Sequence, residues 1–269
     1  MKLVLNPPFD ALWSGRDPFS AVEELTGAVF RELEGRRTLR TEIGGRGFFV
    51  KIHRGIGWRE IFKNLLSFRW PVLGAGNEWQ AVTRLQELGV PTMKVAAFGC
   101  RGRNPACQHS FIITEDLGDT VSLEDFTRDW AKTPPVPRLK WALIHEVGRM
   151  ARAMHQGGVN HRDFYLCHFL LHKDPPCGKG RIRLALIDLH RAQVRSSVPR
   201  RWRNKDLAGL YFSALEIGLT QRDLMRFLKI YFGLPLRDIF GNEAALLNQL
   251  RLKAQRLQVR FQRKYAVAQ

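Results

Sequence analysis

The stretch NHRDFYLCHFLL, residues 160–171, decides how the rest of this chain is interpreted. It follows a helical pattern that ends at two glycines, and it leads into an apolar run that is typical of a β-strand. We therefore predict that His161, Arg162 and Asp163 lie on a short loop at the surface of a core, where catalytic residues are commonly placed. A His-Arg-Asp triplet also occurs by chance, and Asp163 could instead simply cap a turn.

A second aspartate ends an apolar run further along the chain, in LALID, residues 184–188. An ionisable group at the end of a buried strand needs a partner or a metal ion, because burying it alone is costly. Asp163 and Asp188 together suit phosphoryl transfer, in which one carboxylate orients the attacking hydroxyl and the other holds Mg²⁺. The order and spacing of several such motifs, more than either aspartate alone, support this interpretation.

Composition bounds the class of protein. The chain has 269 residues and is 45% hydrophobic, which suits one larger domain or two lobes around one cleft. It has no apolar stretch long enough to span a bilayer and no signal peptide, so we expect a cytoplasmic protein. The four cysteines form no Cys-x-x-Cys pair and are expected to be free thiols rather than metal ligands.

The charge balance indicates an anionic partner. Lys and Arg number 43 against 25 Asp and Glu, which gives a formal net charge of +18. Such an excess suits a phosphorylated substrate, an anionic membrane, an acidic protein or nucleic acid. We expect no nucleic-acid partner, because the chain contains no zinc finger, RNA-binding aromatic signature or helix-turn-helix motif.

The first part of the chain has the pattern of a sheet. Strands are predicted at residues 28–33, 37–43, 48–52, 93–99 and 110–114. The turn that contains Gly35 and Arg36 could cover phosphates with its backbone N–H groups, although an ordinary turn explains it equally well. Lys51 is a charge within an apolar strand, and it either faces water at a strand edge or serves a site.

Helical patterns fill most of the remaining sequence. They are predicted at residues 57–70, 78–88, 139–155, 200–218, 219–232 and 243–265. Asn77 is expected to cap the second of these helices, which Glu78 opens. Glu78 is either a surface acid favoured by the helix dipole or the partner that holds the Lys51 ammonium at nucleotide phosphates.

Two of these helices are basic and amphipathic. Residues 57–70 carry aromatic side chains on one side, and residues 243–265 combine a narrow apolar stripe with Arg256, Arg260 and Arg263. Helices of this kind bind at an anionic membrane surface or pack on their own lobe with a solvated basic face. The sequence leaves both interpretations open.

Taken in order, these motifs resemble the protein-kinase fold. The resemblance implies an α+β protein with a sheet-rich nucleotide-binding lobe, residues 1–118, and a helical catalytic lobe, residues 119–269. It implies that Lys51 and Glu78 form the phosphate-binding pair and that Glu115 and Leu117 lie in the hinge. It also implies that Asp163 is the catalytic aspartate and Asp188 the metal ligand. Asp206 would be the buried aspartate that holds the catalytic loop. Gly35 and Arg36 stand at the reduced glycine-rich loop.

The departures from that pattern are informative. His168 stands where the kinase pattern has an asparagine that binds a second metal ion, so that second metal position is in doubt. The interval between Asp188 and Asp206 leaves little room for an activation loop and a peptide platform, which favours a small-molecule or glycan acceptor. With one glycine in the phosphate loop, a catalytically inactive membrane-associated scaffold stays open as an alternative.

Further details are similar to the lipopolysaccharide core heptose(I) kinase family, WaaP or RfaP. The stretches that carry this resemblance are RRTLR (36–40), FVKIHRGIGW (49–58), KNLL (63–66) and NHRDFY (160–165). It implies ATP- and Mg²⁺-dependent phosphorylation of the first heptose of the lipopolysaccharide inner core, an anionic glycolipid, at the cytoplasmic face of the inner membrane. The related Kdo kinases share this skeleton and remain an alternative for the sugar acceptor.

Four arginines that follow Asp188 are candidates for binding that acceptor. They are Arg195, Arg200, Arg201 and Arg203. A solvated basic surface explains them equally well at this stage.

Overall fold

The computed structural model of the chain describes residues 1–33, 35–55, 57–66, 74–173 and 182–266, with the backbone alone at 60, 64, 65 and 260–266. The chain divides into two compact units. The first comprises Met1–Thr83, Met93–Gly118 and Leu189–Arg191, and the second comprises Arg84–Thr92, Asp119–Asp188 and Ala192–Gln269. The lobe division at residue 118 stays a prediction.

The first unit contains a six-stranded antiparallel sheet. Its strands, in chain order, are β1 (Lys2–Leu5), β2 (Ala28–Leu33), β3 (Arg36–Ile43), β4 (Arg46–His53), β5 (Val95–Arg101) and β6 (His109–Glu115). Their order across the sheet is β1-β5-β6-β4-β3-β2. The five predicted strands are confirmed, and β1, which is only four residues long, was not predicted.

One face of this sheet carries the core of the first unit. In β4 the residues Phe48, Val50 and Ile52 are fully buried, while Lys51 points to the opposite face, as the two-residue period of a strand requires. Helices α1 (Phe9–Leu12) and α2 (Pro18–Glu23) contribute further side chains to this core. They were not predicted, because four and six residues are too few to establish a helical period.

The turn between β2 and β3 requires glycine. Gly35 has a φ of 75°, and a Cβ added to it would lie 2.4 Å from the carbonyl oxygen of Gly55. The Arg54 N–H donates to the Gly35 carbonyl at 2.8 Å and ties the turn to the end of β4. The predicted hairpin is therefore present, and its outer strand β2 forms an edge of the sheet on which every side chain is exposed.

Two helices complete the region around the sheet. Helix α3 (Gly57–Leu66) occupies the described part of the predicted 57–70 helix, and residues 67–70 lie outside the described part. Helix α4 (Gly76–Glu87) begins before Asn77, so the prediction that Asn77 caps it is wrong. The Ala75 carbonyl already accepts from the Trp79 N–H at 3.0 Å, which places Asn77 inside the first turn.

The second unit is mostly helical. Its helices are α5 (Leu123–Thr127), α6 (Pro137–Gln156), α7 (Arg200–Ser213), α8 (Gln221–Phe232), α9 (Leu236–Asn242) and α10 (Ala244–Ala266). Short strands β7 (Thr120–Ser122), β9 (Phe169–His172) and β10 (Leu184–Leu186) pair as β10-β9-β7, and β8 (Val159–Asn160) pairs with β11 (Gln193–Val194). Helix α7 ends five residues before the predicted Gly218, and α9 was not predicted.

Other sequence expectations have mixed outcomes. The described cysteines, Cys100, Cys107 and Cys167, are free thiols as predicted, whereas Cys177 and the predicted turn at 175–180 lie outside the described residues. Of the helices that the structure describes, none is long and apolar enough to cross a membrane.

Candidate active site

In the first unit, Lys51 and Glu78 form an ion pair. Lys51 Nζ lies 2.5 Å from Glu78 Oε1, and the Glu78 side chain is only 1% exposed. A buried carboxylate of this kind requires a cation beside it, so the alternative of a surface acid at Glu78 is wrong. The second oxygen, Oε2, is buried and has no hydrogen-bond partner within the described residues. The pair fixes an ammonium group on the face of β4 opposite the core.

Further basic groups lie near His53 in the first unit. Arg36 stands opposite His53 in the β3–β4 register, one position beyond the Gly35 turn. Burial, together with the positive charges of Arg36, Lys51 and His190, lowers the pKa of His53 to about 3, so its ring is neutral at physiological pH. A concentration of positive charge at a glycine turn is suited to an anion such as a phosphate chain.

The segment predicted as the hinge directly follows β6. Glu115, the last residue of the strand, pairs with Arg46 at 2.7 Å and with Lys94 at 3.1 Å, so its carboxylate is already neutralised. Leu117 is partly buried, and within the described residues no hydrogen bond involves its backbone. The Leu117 backbone is therefore available to a ligand, whereas the N–H groups of Glu115 and Asp116 already donate to the carbonyls of Lys94 and Gly47 at 2.9 Å.

In the second unit, the Asp206 carboxylate holds the loop that carries Asp163. Asp206, on α7, is 1% exposed and accepts hydrogen bonds from the backbone N–H groups of His161 at 2.7 Å and Arg162 at 2.8 Å. Arg162 has a φ of 76°, a conformation that a non-glycine residue keeps only under such constraint. The tie inferred from the kinase resemblance is present.

A short strand pair supports the same loop. Arg195 donates to Asn160 Oδ1 at 2.5 Å and to Gln193 Oε1 at 2.6 Å, which joins β8 to β11. Gly158, with a φ of 85°, lies so close that an added Cβ would meet the Arg195 carbonyl at 1.9 Å. Arg195 therefore has a structural use. Arg203 also has one, because it pairs with Glu243 at 3.3 Å.

His168 links the two aspartates. Its Nδ1 lies 2.6 Å from the Asp163 carbonyl oxygen, and its Nε2 lies 3.3 Å from Asp188 Oδ2. A carbonyl can only accept, so Nδ1 carries a proton, and Nε2 faces the Asp188 carboxylate. Two electron-rich atoms at this distance are stabilised by a proton or a cation between them. The sequence predicted Asp163, Asp188 and His168 at one site, and the structure brings them together.

The backbone positions Asp188 for this contact. Strand β10 ends at Leu186, two residues before Asp188, whose φ of 61° turns the chain out of the extended conformation. The neighbouring Ile187 accepts from His161 Nε2 at 2.9 Å, and its N–H donates to the His168 carbonyl at 3.0 Å. The prediction that Asp188 ends a strand is therefore wrong by two residues.

The Asp188 carboxylate and the His168 ring suit a hard cation that is also bound by water and by substrate oxygens. Within the described part of the chain, no group of three or more His, Cys, Asp or Glu side chains could hold a metal. Mg²⁺ is commonly held by one or two carboxylates together with water and substrate phosphates, so Asp188 fits it better than the imidazole of His168.

An apolar cavity of about 430 Å³ lies within the second unit. Helices α6, α7, α8 and α10 line it, with Leu143, Val147, Leu207, Phe227 and Leu250 among the lining side chains. The sequence analysis missed this cavity. Each helix shows an ordinary apolar stripe, and a space between such stripes depends on tertiary packing that no single pattern records.

This fold and site define a protein-kinase-like phosphotransferase. The family model described as the lipopolysaccharide kinase (Kdo/WaaP) family matches residues 20–231, and the chain belongs to that family. The chain is therefore an ATP-dependent kinase.

Relatives of named activity match nearly the whole chain. It is 63% identical over 263 residues to the lipopolysaccharide core heptose(I) kinase WaaP of Pseudomonas aeruginosa, with 98% of both chains covered. It is 55% identical over 260 residues to the kinase of the same name from Escherichia coli strain K12, covering 97% of this chain and 98% of that protein. A solved structure of WaaP in complex with acyl carrier protein superposes with a TM-score of 0.85 at 58% identity, covering 96% of this chain and 99% of that one.

Replacing Asp206 with Asn should destabilise the protein and displace the loop. The amide oxygen can replace only one carboxylate oxygen, while the amide NH₂ faces a backbone N–H, so about 3 kcal/mol of unfolding free energy should be lost. Denaturant unfolding measures this loss, and kcat should fall more than KM changes. Asp119→Asn is the matched control, because Asp119 forms an exposed ion pair with Lys173. Equal losses in the two variants would contradict the role of Asp206.

Proposed function

We propose that this protein transfers the γ-phosphoryl group of ATP to a hydroxyl of the first heptose of the lipopolysaccharide inner core. The observation that carries the proposal is the loop in which Asp206 fixes the backbone before Asp163 and His168 links Asp163 to Asp188. The names of the Pseudomonas and Escherichia relatives support heptose as the acceptor. A Kdo kinase is the alternative that the family description leaves open.

Each site residue has one role in this proposal. Asp163 orients the sugar hydroxyl and accepts its proton as the new P–O bond forms, while the bond from the γ-phosphorus to the β–γ bridging oxygen breaks and ADP leaves. Lys51, held by Glu78, binds the nucleotide phosphates, and the Gly35–Arg36 turn covers them. The backbone at Glu115 and Leu117 binds the base of the nucleotide.

Mg²⁺ completes the proposed site. Asp188 would hold the ion, with His168 beside it, and when bound the ion supplies positive charge that offsets the charge of the phosphate oxygens. His168 has a second role that needs no metal, because its Nδ1–H fixes the Asp163 carbonyl. Positioning and electrostatic stabilisation supply most of the rate in reactions of this class.

Phosphorylation of two defined acceptors tests the function. With ATP, the protein should phosphorylate an oligosaccharide that ends in heptose on Kdo and should leave one that ends in Kdo unmodified, as mapped by mass spectrometry. Asp163→Ala should lower kcat about 100-fold or more, because the general base is lost, while ATP binding persists. Phosphate found on Kdo, or near-normal turnover by Asp163→Ala, would contradict the proposal.

Alanine substitutions of Asp188 and His168 should differ in their effect on Mg²⁺-dependent ATP binding. Asp188→Ala should abolish the Mg²⁺-dependent increase in ATP affinity, because it removes the carboxylate ligand, whereas His168→Ala should weaken it less. Calorimetric titration of ATP across a range of Mg²⁺ concentrations measures both effects. A larger loss in His168→Ala would reverse the assignment of the metal ligand.

Peripheral contact with the cytoplasmic face of the inner membrane is part of the proposal. It is supported by the net charge of +18 and by the exposed Arg251 and Arg256 on α10. Cosedimentation with anionic but not with neutral vesicles is the measurement that checks it.

We also infer an acyl carrier protein as a partner, because the superposed WaaP structure is a complex with such a carrier. The basic chain suits an acidic partner. The apolar cavity between α6, α7, α8 and α10 has the chemistry to hold an acyl chain.

The affinities of two forms of one carrier protein test this partner. A carrier loaded with a long fatty acyl chain should bind at least about tenfold more tightly than the same carrier without the chain, because the cavity would bury apolar CH₂ groups. Isothermal titration calorimetry measures both affinities. Equal affinities would exclude the cavity as the acyl site, and no binding of either form would exclude the partner.

A further inference from the structure

Three cationic side chains surround one tryptophan in the second unit. Trp202 lies in the first turn of α7. The guanidinium carbons of Arg201 and Arg162 lie 4.9 and 5.2 Å from the centre of its ring system, and Lys205 Nζ lies 5.6 Å from it. We call these four residues the Trp202 cluster. Each cation is within the range of a cation–π contact, so the indole organises all three.

The cluster gathers positive charge at the N-terminal end of α7, where the helix dipole is itself positive. The N-terminal end of a helix carries a partial positive charge, and the first turn of α7 contains no acidic residue. Pro199, at the cap position, gives no side-chain hydrogen bond to the free N–H groups of that turn. An anion at such an end is attracted by the partial charge of the helix and by the cations of the cluster.

The cluster is anchored to the catalytic loop. Arg162 directly precedes Asp163, and its backbone N–H is held by Asp206 at 2.8 Å, so its position relative to Asp163 is fixed. Arg201 and Lys205 are exposed on the same helix that carries Asp206.

We propose that the Trp202 cluster binds an anionic group of the sugar acceptor, a phosphate monoester or a carboxylate, and so holds the acceptor beside Asp163. This inference rests on the proposed function and specifies how that site distinguishes an anionic glycan from a neutral sugar. Arg195 and Arg203 are not part of it, because their guanidinium groups bind Asn160 and Glu243. Of the four arginines singled out in the sequence, Arg201 is the one that belongs to the cluster.

The test removes two exposed charges from the cluster without touching the catalytic loop. The double variant Arg201→Gln/Lys205→Gln should raise KM for a delipidated heptose-Kdo acceptor by at least about tenfold, because hydrogen bonds to charged groups are lost. KM for ATP should stay within about twofold. The charge-conserving variant Arg201→Lys/Lys205→Arg should recover most of the acceptor affinity.

A matched control separates the cluster from the net charge. Arg222→Gln/Arg237→Gln removes two exposed arginines of α8 and α9 in the same unit, with the same change in net charge. It should leave KM for the acceptor within about twofold, because long-range attraction is screened at physiological salt. Equal effects of the two double variants, or a parallel rise in KM for ATP in the cluster variant, would overturn the proposal.

Chemically altered acceptors identify the anion. One arm uses an acceptor whose phosphate esters have been removed enzymatically, and another uses one whose carboxyl groups have been reduced to alcohols. Wild type and the cluster variant should become alike in the arm that lacks the recognised anion. A defect in the cluster variant that is unchanged in both arms would overturn the proposal.

Calorimetric binding of the same acceptors without ATP gives a readout that does not depend on turnover. If wild type phosphorylates none of the acceptors but binds them through the cluster, the proposed function fails and the anion site stands. If wild type phosphorylates heptose and the cluster variant binds the acceptor as tightly as wild type does, the function stands and the anion site fails.

Discussion

The loop that carries Asp163 depends on one buried carboxylate. Asp206 accepts from two consecutive backbone N–H groups, and without it the left-handed conformation of Arg162 would lose the backbone hydrogen bond that supports it. His155 adds a contact of 3.3 Å to Asp206 Oδ2 and joins it to the Tyr231 hydroxyl through its other nitrogen. Because these groups are buried, each lost bond would leave an uncompensated polar atom, and this cost favours the observed arrangement of the loop.

In the first unit a buried carboxylate also fixes a functional group, but through an ion pair. Glu78 is buried and paired with Lys51, so the ammonium is fixed by charge rather than by backbone hydrogen bonds. Burial, together with positive charge from Arg36, Lys51 and His190, lowers the pKa of His53 and keeps its imidazole neutral. In both units the sequence places a carboxylate on a helix and uses it to fix a group on a strand or loop.

The contacts predicted correctly from the sequence are those between residues whose order along the chain matches the protein-kinase fold. Lys51, Glu78, Asp163, Asp188 and Asp206 occur in the order of one fold, and the observed pairing of Lys51 with Glu78 and the contacts of Asp206 follow that order. The Asn77 cap, the end of β10 and the short helices α1 and α2 were mispredicted or missed, because local hydrogen bonds and φ values decide them and the residue pattern does not. The apolar cavity and the Trp202 cluster depend on distant residues that meet only in the folded chain.

The two contacts of His168 have a consequence for the way kinases are recognised. A search for this enzyme class by a metal-binding asparagine five positions after the catalytic aspartate would pass over this chain, although both aspartates are present. The imidazole uses one nitrogen for the Asp163 carbonyl and directs the other to Asp188. Residue identity at this position is therefore a poor marker of class membership, whereas the pair of contacts is a geometric marker that a structural comparison can detect.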